Sequence, residues 1–91
     1  MYYDPVKVEH IKDYILKVKF KDGSGGEVDF SHIIESVKPY RKLSNIDLFK
    51  KAYIHPEIKV IYWDDELDYD PLILYYKANK LPFPSEWGVV A

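Results

Sequence analysis

The chain has 91 residues, no cysteine and a formal net charge of −2. That length fits one domain with a modest core. The missing cysteines exclude disulfides, thiolate catalysis and cysteine-based zinc sites, and the charge by itself is neither a nucleic-acid footprint nor a strong attraction to membranes. No apolar run approaches the roughly 20 residues that cross a bilayer. The N-terminus shows no basic region followed by a hydrophobic run, so no secretory signal is read and a cytoplasmic protein is expected. An apolar fraction of 47% is globular. The nine tyrosines can cover core while keeping a hydroxyl wet, or sit at an interface.

Residues 6–11 read as a short edge strand behind Pro5, with Val6 and Val8 on one face. Residues 14–20 are clearer: Tyr14, Leu16, Val18 and Phe20 face one way and Lys17 and Lys19 the other, the period of a half-buried strand. Residues 21–26 read as a turn, led by Asp22-Gly23 and eased by Gly25 and Gly26. Val28 and Phe30 then resume the inward face, completing a hairpin over 14–30. The glycines lack the spacing of a phosphate loop and of a dinucleotide fingerprint.

Ser31 is placed to cap a helix from His32 to about Val37, with Ile33, Ile34 and Val37 inward and Pro39 ending it. Residues 40–43 connect. Ser44 and Asp47 have capping-box-like spacing, and Leu43 and Leu48 stand at staple positions, so a second helix is expected over 45–51. Residues 52–54 suit a short strand and 55–57 a turn. The stretch 58–63 is apolar on both faces, which predicts a central strand or one lying against a helix. Five acids follow within seven positions: Asp64, Asp65, Glu66, Asp68 and Asp70. Asp70 suits an N-cap, Pro71 a first helical residue, and Asn79 a left-handed close after Lys77 or Ala78. Residues 81–91 read as a C-terminal tail to a single domain over 1–80; its Phe83, Trp87 and Val89 can pack on the domain or on a partner.

The acids faintly follow a calcium loop, but Tyr69 stands where that loop needs glycine and Tyr75 where it needs glutamate. Crowded into one turn, they show no cleft holding two carboxylates at a catalytic separation. His10, His32 and His55 are too scattered in sequence to mark a metal site. No cofactor, metal or catalytic residue is expected. Basic residues cluster instead around Tyr40: Lys38, Arg41, Lys42, Lys50 and Lys51. With the lysine face of residues 14–20 and Lys21 they can form a local positive surface. Tyr40, Arg41, Lys42, Lys50, Lys51, Phe83 and Trp87 are therefore the candidate interaction surface.

The ordered motifs resemble one family. Phe20-Lys21-Asp22-Gly23 is followed by Val28-Asp29-Phe30-Ser31, then by the spacing from Tyr40 to Phe49. Ile61-Tyr62-Trp63, Asp68-Tyr69-Asp70-Pro71 and Leu74-Tyr75 close the series. This pattern, over about residues 6–76, is similar to the DUF2442 family of small bacterial proteins, whose fold is grouped with the N-terminal domain of a protein assigned to DNA binding. The resemblance makes Asp22, Gly23, Asp29, Ser31, Trp63, Asp68, Asp70, Pro71 and Tyr75 its signature positions. Gly25, Gly26 and Leu72 depart from it. It carries no catalytic residue. It implies an accessory or partner-binding role, since members are similar to partners in toxin–antitoxin-like gene pairs and some are joined to helix-turn-helix domains.

The sequence thus predicts an α+β domain, a small, mostly antiparallel sheet packed with two or three short helices. The leading expectation is a non-enzymatic domain for contact with a protein partner or its own copy. A nucleic-acid-binding accessory module comes second and a minor metal or hydrolytic protein third. No membrane is expected.

Overall fold

A computed structural model describes residues 1–64 and 66–87. Asp65 and Val89 lie outside the described residues. The α+β architecture is present, its strands divided between two antiparallel sheets of three. The first holds β1 (Pro5–Lys12), β2 (Ile15–Phe20) and β3 (Gly25–Asp29), with β2 central. Leu16, Val18 and Phe20 are buried beside Val28, as their alternation requires. Val6 does not share their face. It is the extra residue of a bulge between the pairs Pro5–Phe20 and Lys7–Lys19, so Pro5 takes the inward place and Val6 is exposed. A second bulge at Ile11 exposes that side chain in the same way.

The hairpin turn is shorter than its glycines suggest. Gly23 has φ +88, and Gly25 and Gly26 already belong to β3. Their missing side chains serve close approach. A Cβ on Gly25 would stand 2.3 Å from the Val18 carbonyl oxygen, and one on Gly26 would stand 2.2 Å from that of Ala78.

Ser31 is the first residue of α1 (Ser31–Ser36) and not its cap. The Asp29 carboxylate does that work, accepting from the Ser31 amide at 2.9 Å and hydroxyl at 2.6 Å. These bonds hold the Asp29 carboxyl below its ordinary value, the hydroxyl having the larger effect. The helix stops at Ser36, so Val37 is extended and exposed where the helical stripe had placed it inward. Residues 40–43, expected as a plain connection, lie in a 3-10 helix over Lys38–Ser44 that carries Pro39 in its first turn and buries Leu43. The next helix, α2, is only Ile46–Phe49. Asn45, one position past the expected Ser44, caps it by accepting from the Asp47 amide.

The second sheet contains β4 (Tyr53–Ile54), β5 (Ile61–Trp63) and β6 (Leu67–Tyr69), with β5 central. The strand expected over 58–63 starts late because Lys59 has φ +59 and Ile58 is exposed in the preceding turn. The acidic run holds both a turn and the unforeseen β6. Then α3 spans Pro71–Ala78, with Pro71 at its first position. Asp70 caps it as expected, accepting from the amides of Leu72 and Ile73 at 2.8 and 3.1 Å. Asn79 is not left-handed (φ −91); Lys80 is, at φ +55. The amides of Lys80 and Leu81 bond to the Lys77 and Tyr76 carbonyls, a Schellman close displaced by one residue.

The core is aromatic at its centre. Trp63 and Phe49 are fully buried and stacked at 6.3 Å, and Phe30 meets Trp63 at 6.0 Å and Tyr69 at 5.2 Å. The Trp63 indole donates to the Phe49 carbonyl at 2.9 Å, so its polar atom is satisfied where it is buried. β4 lies beside β1, and α3 packs on β3 and β2.

Candidate functional site

Most signature positions have work inside the fold. Asp22 accepts from the Ser24 amide and hydroxyl and, with its other oxygen, from the Tyr75 hydroxyl at 2.5 Å. Asn79 donates to the Ser24 hydroxyl at 3.1 Å. This latch ties the β2–β3 turn to α3, and its hydrogen bonds hold the Asp22 carboxyl below its ordinary value, the Ser24 hydroxyl most and Tyr75 next. Asp29 and Ser31 start α1, Trp63 fills the core, and Asp70 and Pro71 start α3. Asp68 divides in two. Its carbonyl accepts the Tyr40 hydroxyl at 2.6 Å, while its side chain is exposed and has no hydrogen-bond or ion-pair partner among the described residues.

The residues proposed as an interaction surface fall into three settings. Tyr40 is half-buried, edge-on to Tyr69 at 5.7 Å, and its bond to Asp68 fastens the 3-10 helix to β6. Burial, and secondarily Asp68 and Asp70, push its hydroxyl up. Arg41 and Lys42 on the 3-10 helix and Lys50 and Lys51 after α2 are all exposed, on elements that pack together. Lys50 pairs with Asp47 at 3.5 Å on the surface. Phe83 and Trp87 fold back onto α3, where both meet the Tyr76 ring, at 6.1 and 4.9 Å.

The outer face of the first sheet is not the uniform basic surface suggested by Lys17 and Lys19. Cross-strand neighbours there are Lys7, Lys19 and Gly25 in one row, and Glu9, Lys17 and Glu27 in the next. Lys17 thus stands between two carboxylates. The bare backbone at Gly25 and Gly26 opens a depression of about 360 Å³ beside Lys7 and Lys19.

The outer face of the second sheet differs. Register puts Tyr53 opposite Tyr62 and Tyr62 opposite Asp68, so all three share the face turned away from Ile61 and Trp63. Tyr53 is 38% exposed and Tyr62 is partly exposed. Their rings meet at 5.8 Å, and His55 meets Tyr62 at 5.0 Å. The His55 Nδ1 accepts from the amides of Glu57 and Ile58, which holds the β4–β5 turn and fixes the ring. Desolvation first, then Glu66, Tyr53 and Asp68, push the Tyr62 hydroxyl up. A strand apolar on both sides is expected to be covered on both. Here β5 is central but leaves its Tyr62 side open. Only the pairing partners, Tyr53 and Asp68, make that side a candidate site, and residue spacing within one strand does not reveal them.

Among the described residues, no group of three or more His, Asp or Glu side chains is gathered to hold a metal ion. No helix among them is long and apolar enough to cross a membrane. A family model described as "Protein of unknown function (DUF2442)" matches residues 5–80. The chain matches no curated protein and no solved structure.

Proposed function

The chain belongs to the DUF2442 family, and from that premise we propose that it is a non-catalytic module for protein–protein contact, using the outer face of β4, β5 and β6. The carrying observation is that Tyr53, Tyr62 and Asp68 form one open cross-strand row. Tyrosines supply large contact area at low entropic cost and are enriched where proteins meet. The setting implied by the family resemblance is a toxin–antitoxin-like pair, with the chain binding the second member.

The test is to isolate the tagged full chain from its native cells beside a Tyr53→Thr/Tyr62→Thr variant, which keeps β-forming residues in both strands. Matching circular dichroism and melting would establish that the variant folds. A stoichiometric partner held by the natural chain and lost from the variant is the expected result. A partner retained equally by both would overturn this face as the contact surface.

A nucleic-acid module is the second reading, supported by Arg41, Lys42, Lys50 and Lys51 on adjoining elements. It requires binding that weakens steeply with salt. No mobility shift at low salt would end it.

A further inference from the structure

We infer that the face of Tyr53, Tyr62 and Asp68 receives an arginine-bearing segment of a partner protein, with Asp68 selecting the guanidinium. This rests on the contact reading above and adds the partner's chemistry.

The charge of the face decides among occupants. Aromatic rings present electron-rich faces, and the ring contacts here are edge-on, at 65° between Tyr53 and Tyr62 and 64° between His55 and Tyr62. None of these rings is stacked flat on another. Glu66 and Asp68 act on Tyr62 from the same hairpin. A phosphate backbone laid on these rings would meet the exposed Asp68 carboxylate in the same row. A second copy placed about a two-fold axis along the Tyr53–Tyr62–Asp68 row would bring Asp68 opposite its own counterpart, an isologous contact between like charges. A cation meets neither penalty.

Arginine fits better than lysine because of shape. Its guanidinium is planar, weakly hydrated and stacks on aromatic faces, and it bonds a carboxylate through two parallel N–H groups. Residues directly opposite on antiparallel strands have Cβ atoms roughly 5 Å apart. A guanidinium lying on Tyr62 is therefore within reach of the Asp68 carboxylate, which is exposed and makes no hydrogen bond or ion pair among the described residues. Lysine could satisfy the charge but not the stack and the two-point bond together.

The experiment follows backbone and tyrosine-ring NMR signals of the full chain. The probes are a capped Gly-Arg-Gly-Arg-Gly peptide, its lysine counterpart and a single-stranded oligothymidylate. The arginine peptide should shift Tyr53, Tyr62 and Asp68 saturably, and the lysine peptide should bind at least about 3-fold more weakly. Asp68→Asn should weaken the arginine peptide about 10-fold with no change in melting temperature. The inference is overturned if the arginine peptide leaves these signals unmoved, if both peptides bind alike with no effect of Asp68→Asn, or if the oligonucleotide shifts this face. Partner capture separates the two proposals. Capture that needs Tyr53 and Tyr62 but tolerates Asp68→Asn keeps the contact surface and removes the arginine. Capture indifferent to both tyrosines removes the surface itself.

Discussion

Gly26→Ala is the sharpest perturbation of this fold. A Cβ there would lie 2.2 Å from the Ala78 carbonyl oxygen and 3.2 Å from its carbon, against the 3.4 Å at which ordinary contact begins. Both partners are backbone, so no side chain can swing away. The last turn of α3 must retreat from β3 by about 1 Å, and overpacking of this kind typically costs 1–3 kcal/mol. The retreat also strains the bond from Asn79 to Ser24, 3.1 Å long, and loosens the buried Ala78. An expected loss of about 2–3 kcal/mol is a large part of the roughly 5–14 kcal/mol that stabilises a domain of this length. Urea unfolding followed by far-ultraviolet circular dichroism measures it. Gly23→Ala is the internal comparison: nothing lies within 4 Å of its added Cβ, but φ is +88, so it should cost about 1 kcal/mol through backbone strain alone. A Gly26→Ala midpoint within error of the natural chain would refute the close approach of α3 to β3.

Asp70→Ala removes an acceptor serving two amides at the start of α3 and should cost about 0.5–2 kcal/mol in the same urea assay; no change would count against the cap. Trp63→Phe keeps an aromatic ring but removes the indole bond to the Phe49 carbonyl, which retains only the longer bond from the Ala52 amide at 3.3 Å, and leaves a void, so a loss of about 2 kcal/mol is expected in thermal melts. Asp22 and Asp29 both have carboxyl groups held below the ordinary 3.8. The folded chain therefore binds fewer protons than the unfolded one there. Their stabilisation is present above that value and is lost as pH falls through the lowered folded values. Urea midpoints should drop between about pH 4 and pH 2, and less so in an Asp22→Asn/Asp29→Asn variant; equal slopes for the two proteins would contradict the assignment.

Elements set by local chemistry were legible in the sequence. The alternation over residues 14–20 gives β2, and Asp70-Pro71 gives the start of α3, because neighbours along the chain decide both. Errors gather where a distant partner decides. Gly25 and Gly26 look like turn residues until Val18 and Ala78 are seen against them. Val6 looks inward until β2 imposes a bulge. Ser31 has the right residue type for a cap, yet Asp29, two positions earlier, accepts from the Ser31 amide and hydroxyl, and Ser31 becomes the first helical residue. β6 was hidden because a three-residue strand inside an acidic run has no period to read.

The same division explains why the candidate site was missed. Tyr40 drew attention because basic residues surround it in sequence, but its hydroxyl is spent on the Asp68 carbonyl and its ring on Tyr69. That contact fastens β6 to the 3-10 helix through the Asp68 backbone and leaves its side chain out of the bond. Antiparallel pairing then lines Asp68 up with Tyr62, and Tyr62 with Tyr53, with 14 positions intervening between the first and last of them. A chain read residue by residue sees an acid in a run of acids and two tyrosines among nine. The acidic stretch is thus neither one metal loop nor one solvated turn. Asp70 serves its own helix, the Asp68 backbone serves the 3-10 helix, and the Asp68 carboxylate is left facing outward beside an aromatic pair that the core does not cover.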